Sequence, residues 1–526
     1  MHSIRALIDR QAANRPLALY ARAVGSGLEL TYGGLAARCR IFTGLLQSLG
    51  SQPGDHVSVV MPNGLGTLVA LLGSLYGGWC VNPVNLLSQP EQMRYVLEHA
   101  DAGVVLVSPQ WEAQVRAMAA STRREMTLVV LDPDSLDLPA SQPPDRHSPP
   151  AVADTADTTD AADTTDAADA AQAADTADRL GLLMYTSGTT GKPKGVMLTQ
   201  ANLAASALAI STEHALTPDD RVLAVLPLYH INAFAVTMLS PLAHGGSLAM
   251  PSRFSASAFW QQVAESECTW INLVPTMISY LLEAPAPSRE TLARLRFCRS
   301  ASAALPPEHH RAFEEKFGVG IIETMGLTET VAPSFSNPLP AAERRIGSVG
   351  RPSGCEAMIA NPQGAAVPDG ETGEILLRGP QVMKGYYKND EATRASFHPD
   401  GWLRTGDLGH RDSEGYFYVT GRIKELIIKG GENIAPREID EAVLGHPAVL
   451  DAAAVGIPDR HYGQEIMICV VLRAGYSCTE EELRDYCTGT LGRYKTPSVI
   501  RFVADLPRGP SGKVQRLKLL ELFSAT

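Results

Sequence analysis

Tyr185–Thr199 reads YTSGTTGKPKGVMLT, and it follows Gly181–Tyr185 (GLLMY), an apolar run patterned for a buried strand that ends in a glycine-rich loop. Up to Val196 the segment holds three glycines, five hydroxyl residues counting Tyr185, and two lysines. Small residues let backbone N–H groups close on a polyphosphate, hydroxyls donate to its oxygens, and lysine neutralises its charge. The alternative is a mobile surface loop with no ligand. The segment departs from G-x-x-x-x-G-K-[ST] because Lys192 is followed by Pro193, so the P-loop fold is not implied.

Working outward from this loop, buried-strand patterns alternate with helical ones. Arg221–Leu226, Thr269–Val274 and Leu295–Cys298 are short apolar runs bounded by Pro, Ser or charge. Between them, Pro307–Phe317 predicts a helix with Phe313 and Phe317 on one face at i, i+4. This rhythm predicts a large α/β domain of mostly parallel strands, with ligands at the carboxyl ends of those strands. A second unit begins near Gly421–Glu425. It predicts a helix through Arg437–Leu444, strands at Ala452–Val455 and Ile466–Leu472, and a helix opened by a Thr479/Glu482 capping box. About 100 residues suffice for a small α+β domain. The join has no Pro/Gly/Ser-rich spacer and reads as a hinge. The expected organisation is therefore a large domain over 1–421, a hinge over 422–425 and a small mobile domain over 426–526.

Composition narrows the function classes. The chain has 526 residues, 45% hydrophobic and 19% charged, the profile of an ordinary multi-domain globular protein. Its formal charge of −12 argues against nucleic-acid binding, which needs a basic face. Eight aspartates between Asp154 and Asp178 account for most of that excess. They belong to an Ala/Asp/Thr tract that follows Pro-rich sequence, and residues 133–178 read as a disordered, solvated insertion. Eight cysteines occur without a C-x-x-C pair, which predicts reduced and mostly buried thiols. The N-terminal MHSIRALIDRQAANRP carries arginines and no apolar run, so no secretory signal and no membrane insertion are expected, and the chain is placed in the cytoplasm.

The Tyr185–Thr199 segment closely resembles the phosphate-binding signature of the adenylate-forming superfamily, which comprises acyl-CoA synthetases, peptide-synthetase adenylation domains and beetle luciferases. The resemblance runs from Leu30–Gly34 (LTYGG) to Lys513, apart from the 133–178 tract, with the motifs in the family's order. It implies the family's fold, a large multi-sheet domain with a small mobile one, and the use of ATP, Mg²⁺ and coenzyme A. Thr186, Ser187, Gly188, Thr189, Thr190 and Lys194 would then line the phosphates, with Ser302, Glu323 and Thr324 also at the nucleotide. In TMGLTET, Thr328 would contact the α-phosphate and Glu329 would hold Mg²⁺, a carboxylate being the hard oxygen ligand that ion requires. Met325 stands where the family usually has an aromatic residue against the adenine. Asp407, in GWLRTGDLG, would accept from the ribose hydroxyls, Arg422 would reach the ribose or phosphate, and Lys424 would mark the pivot. Lys513, in PRGPSGKVQR, matches the catalytic lysine that meets charge building on the five-coordinate α-phosphate.

For the second half-reaction the resemblance implies rotation of the small domain, bringing Gly430, Gly431 and Glu432 of the KGGEN loop to the active site for CoA. Ile428 stands where some relatives carry a lysine, and no thioester role is assigned there. His230 (in LPLYHINAF), Arg299, Ser300 and Gly326 are the candidates facing the acid. Arg299 ends a buried strand and needs an anionic partner, either the substrate or a protein carboxylate. FCRSASAALP, FSASAFW, SNPLP and GSVGRP are similar to the oxalate– and sulfoacetate–CoA ligase branch. The expected reaction is AMP-forming acyl-CoA ligation of a short anionic carboxylic acid, with sulfoacetate or oxalate the favoured guess. Malonate, carnitine-like or fatty acids, loading of a carrier protein, a luciferase-like oxygenase and a nucleotide-binding pseudoenzyme are the alternatives.

Overall fold

The computed structural model describes residues 3–122, 124–138, 177–186, 192–508 and 514–524. Four sheets occur among them. Their frame is a mixed α/β large unit followed by a small unit, the expected fold class.

The first sheet has nine strands, at whose centre Leu19–Ala23, Ser247–Met250, Arg221–Leu223, Trp270–Leu273, Phe297–Ser300 and Ile321–Met325 run parallel. The second has seven, with Leu180–Thr186, Cys80–Pro83, His56–Val60, Val104–Val107 and Thr127–Val130 parallel. Apart from the edge strand Thr127–Val130, these strands are largely buried on both faces, as parallel sheets covered by helices require. Helix Leu65–Gly77 is buried from Leu65 through Tyr76, and the π-helix Asn232–Leu239 is buried along its whole length. A helix with no polar face belongs inside, and one hydrophobic cluster joins both to the strands of the two sheets. The third sheet, over Glu356–Ala360, Gly373–Arg378, Leu403–Arg411 and Phe417–Arg422, is antiparallel.

The small unit is built on the antiparallel pair Val449–Asp459 and Gly463–Leu472; Ile427–Lys429, itself paired with Glu432–Ile434, and Val499–Phe502 both join the edge of Gly463–Leu472 that faces away from Val449–Asp459. Its helix Pro436–Leu444 buries Ile439 and Val443 at i, i+4. The capping box is present: Thr479 Oγ1 accepts from the Glu482 N–H, and the Glu482 carboxylate accepts from the Thr479 N–H. Helix Pro307–Phe317 has the expected bounds, with the Phe313 and Phe317 rings 4.7 Å apart.

Two sequence expectations shift. Strand Phe297–Ser300 lies two residues beyond the expected Leu295–Cys298. Residues 133–138, expected to open the insertion, are packed: Pro133 O accepts from Gly66 N–H at 2.8 Å, and Leu136 and Leu138 lie against the core. Proline-rich composition suggested a linker there, but the two leucines supply enough apolar surface to dock it. Residues 139–176, which contain most of the expected tract, lie outside the described residues. The cysteines are unbridged, and six of the eight are buried. No helix among the described residues is long and apolar enough to cross a membrane.

Candidate active site

The strand Leu180–Thr186 turns back as Lys194–Thr199, with Thr186 opposite Lys194 across the intervening loop. Ser187, Gly188, Thr189 and Thr190 of that loop lie outside the described residues, as does Lys513. Beyond the loop, Val196 and Met197 pair with the two-residue strand Gly385–Tyr386. This pairing brings Tyr386 across the loop's exit. Lys194 Nζ sits over the Tyr386 ring, 4.8 Å from its centroid, and the Tyr386 hydroxyl donates to Glu329 Oε1 at 2.8 Å. Glu329 lies in the 3₁₀ turn Thr328–Thr330, and its carbonyl accepts from Met383 N–H at 2.7 Å. Lys194, Tyr386 and Glu329 thus form one array. Burial, reinforced by Glu329, holds the Tyr386 hydroxyl above its ordinary pKa, so it acts as a donor.

The turn before Glu329 needs a glycine. A Cβ on Gly326 would lie 2.7 Å from Ala332 Cα, so this position is decided by backbone packing. Upstream, Thr324 Oγ1 donates to Ser300 O at 3.3 Å and ties neighbouring strands together at their carboxyl ends. Glu323 is buried, with Oε1 accepting from Leu305 N–H at 3.3 Å and Oε2 without a partner. Burial pushes its carboxyl up to about 7, opposed chiefly by Arg437 of the small unit.

On the third sheet, Asp407 and Arg422 are register partners on adjacent strands, and Arg422 Nε donates to Asp407 Oδ1 at 2.7 Å. Asp407 is buried and holds the Arg422 guanidinium above its ordinary value, with smaller contributions from Glu425 and Glu329. Arg422 therefore links the Asp407 carboxylate to the field of the Glu329 array.

Ser300, Arg299 and Ser302 occupy the end of strand Phe297–Ser300 and the loop after it. Arg299 is fully buried, and its Nη1 donates to Asn232 and Asn272. The expected alternative, a salt bridge to a protein carboxylate, does not occur among the described residues; carboxamides stand there instead. Ser302 adopts φ 76° and accepts from Asn232 Nδ2 at 3.2 Å. His230 is half-buried against Tyr229, with ring centroids 4.8 Å apart, and begins the turn into helix Asn232–Leu239. The π-helical winding that follows it is a form often found at functional sites.

The small unit contributes less to this array. Lys424 lies exposed in the short turn Ile423–Glu425. Gly430 and Gly431, at φ 56° and 88°, form the turn between Ile427–Lys429 and Glu432–Ile434. Lys429 pairs with Glu465 at 2.7 Å and donates to Tyr494 O at 2.8 Å, so the loop is anchored within its own unit. Glu432 is exposed. The structure does not bring these three residues to the nucleotide-side array. The unit is held to the large one by Arg437 Nη1 donating to Val419 O at 2.7 Å and by an Arg473–Glu283 pair at 3.5 Å.

Asn232, Asn272 and Tyr386 were not singled out from the sequence. Asn232 and Asn272 each interrupt an apolar run, which was a usable signal; Tyr386 offered none.

The AMP-binding enzyme family model matches residues 8–387, and the AMP-binding enzyme C-terminal domain model matches 438–513. The chain is 54% identical to the sulfoacetate–CoA ligase of Cupriavidus necator over 98% of its own length and 97% of that protein's. It is 36% identical to the oxalate–CoA ligase of Arabidopsis thaliana over 91% of this chain and 90% of the other. Among solved structures, ATP-bound MatB from Rhodopseudomonas palustris superposes with a TM-score of 0.86 at 29% identity, covering 99% of each chain.

Proposed function

The chain belongs to the AMP-binding enzyme family, and on that premise we propose that it is an AMP-forming acyl-CoA ligase acting on a short acid that carries a second negative charge. The observation that carries this reading is the Lys194–Tyr386–Glu329 array at the exit of a glycine-rich loop, with the Asp407–Arg422 pair in the field of Glu329. Cations and an acidic metal ligand stand beside a buried carboxylate suited to ribose hydroxyls. The sulfoacetate– and oxalate–CoA ligases that the chain resembles both act on short acids bearing two anionic groups.

In the first half-reaction a carboxylate oxygen of the acid attacks the α-phosphorus of ATP. The new O–P bond forms as the bond to pyrophosphate breaks, and pyrophosphate leaves with the electron pair. Lys194 and the loop 186–194 would bind the phosphates, Asp407 would orient the ribose, and Lys513 would meet the charge that builds on the α-phosphate. Among the described residues no group of three His, Cys, Asp or Glu side chains could hold a metal. A single carboxylate, Glu329, fits Mg²⁺, which keeps several waters and is bound largely through substrate phosphates. When bound there, it would neutralise phosphate charge. In the second half-reaction the CoA thiolate attacks the acyl carbon, the C–O bond to AMP breaks, and AMP leaves. The anchoring of the Gly430–Gly431 turn within its own unit, through Lys429 to Glu465 and Tyr494, supports a small unit that turns about Lys424 between the two steps.

CoA-dependent AMP release measured against sulfoacetate, oxalate, malonate, acetate and octanoate tests the reading, together with pyrophosphate exchange with and without CoA. Expected are turnover with short dianions and a loss on the order of 10²–10³-fold in exchange for Lys513→Ala. Exchange that survives that substitution, or that no carboxylate supports, would overturn it.

A further inference from the structure

Three polar side chains meet beneath the carboxyl ends of two neighbouring parallel strands. Arg299 lies one residue inside the end of Phe297–Ser300, and Asn272, its register partner, one residue inside the end of Trp270–Leu273. Asn232 joins them from the first turn of helix Asn232–Leu239. Arg299 Nη1 donates to Asn232 Oδ1 at 2.8 Å and to Asn272 Oδ1 at 2.9 Å. Asn272 Nδ2 donates in turn to Asn232 Oδ1 at 3.2 Å.

One side of the guanidinium is therefore anchored, and every group anchoring it is neutral. The other edge, Nε with Nη2, has no hydrogen-bond partner although the residue is fully buried. Those two atoms form one complete fork, the pair of parallel N–H donors that grips two oxygens of a carboxylate or sulfonate. Neighbouring groups offer no compensating charge. The Cys298 thiol is raised by burial and stays protonated. His214, packed on Trp270 and Phe297 of the same sheet face, is pushed down to about 3 by burial and then by Arg299, so it is uncharged at neutral pH. An isolated buried cation is strongly unfavourable, and a fixed geometry with an open fork selects for an anion that enters from outside.

We infer that Asn232 and Asn272 are the specificity-determining residues of the acid site: they orient Arg299 without neutralising it, leaving its Nε/Nη2 edge for the second anionic group of a short dianionic acid. The inference rests on the ligase reading above and deepens it. A carboxamide and a carboxylate have nearly the same shape, so aspartate at either position would fix the guanidinium equally well and cancel its charge. Asparagine keeps the charge available. The low-dielectric surroundings strengthen the pairing once the acid is bound.

The test compares wild type with Asn272→Asp, Asn232→Asp and Arg299→Gln, using pyrophosphate exchange with sulfoacetate, malonate and acetate and a melting curve without substrates. Either aspartate should lower the sulfoacetate-to-acetate ratio of kcat/KM by about tenfold or more, while raising Tm by supplying an internal counter-ion. Arg299→Gln should lower the same ratio without raising Tm, and it decides the matter if an aspartate variant fails to fold. Equal losses for the dianions and acetate would overturn the inference, as would a wild type that prefers acetate. Failure of the ligase reading is distinct: the wild type would then exchange pyrophosphate with no acid.

Discussion

The rim of the site and its floor handle charge in opposite ways. At the rim, Asp407 faces Arg422 across adjacent antiparallel strands, and Glu329 has the Tyr386 hydroxyl, whose ring carries Lys194. Each charged group there has a partner it can exchange for a ligand. On the floor, built from parallel strands, Arg299 meets only carboxamides, and on the opposite face of the sheet Glu323 keeps one oxygen without a partner. The difference is instructive because burial alone does not account for it: Asp407 is buried as Glu323 is, yet only the former is paired. A paired rim suits a nucleotide that is bound and released in every turnover. An Arg299 without a counter-charge suits discrimination, since only a ligand of the right charge relieves it.

The sharpest way to break this contrast is at Asp407. Asp407→Asn keeps the shape, removes the charge and leaves Arg422 without its carboxylate. Losing a charged hydrogen bond predicts a fall on the order of 10–100-fold in kcat/KM for ATP, measured by pyrophosphate exchange at saturating acid. The selectivity among acids should stay as it was. A variant whose ATP dependence is normal but whose acid preference has moved would show that rim and floor are not separate.

Much of the rim was legible in the sequence because its residues sit in contiguous motifs. The glycine-rich segment after GLLMY reads as a phosphate loop through local chemistry, and the turn around Glu329 and the Asp407 strand are each read within a few residues. Helix Pro307–Phe317 and the Thr479 cap were legible for the same reason: periodicity and capping are local. The floor was not. Asn272 hides in TWINLV, where the apolar neighbours dominate the pattern, and its meaning appears only when strands Trp270–Leu273 and Phe297–Ser300 align it with Arg299. Tyr386 is likewise brought to the exit of the glycine-rich loop by a strand pairing with Val196, far away in the chain. No spacing rule foresees that contact. The Pro-rich stretch before residue 139 misled for a related reason, since two leucines outweigh composition once a core is near enough to accept them.

A milder test of the rim is Tyr386→Phe. The ring that carries Lys194 stays, and only the hydroxyl donated to Glu329 is lost. One neutral donor to a carboxylate predicts an effect of about 2–10-fold, largest at limiting Mg²⁺ and reduced when Mg²⁺ is raised. Activity that falls equally at every Mg²⁺ concentration would instead place the role of Tyr386 with Lys194 or with packing.

The floor's smallest expected signal lies in Glu323, and its sign is fixed by linkage. Burial raises this carboxyl to about 7, so between the ordinary glutamate range and that value the folded chain keeps a proton which the unfolded chain has released. Stability from this group is therefore fully present below about pH 4 and declines as pH rises, levelling off above about pH 7, where both states are ionised. Glu323→Gln is neutral throughout and escapes that decline. Its Tm should match wild type near pH 5 and exceed it at pH 8 by on the order of 2 °C, with relaxation around the carboxylate and the nearby Arg437 trimming the difference. A melting series from pH 5 to 8 measures the gap directly. A gap that closes as pH rises would mean that Glu323 is compensated after all, and that the floor holds its charges as the rim does.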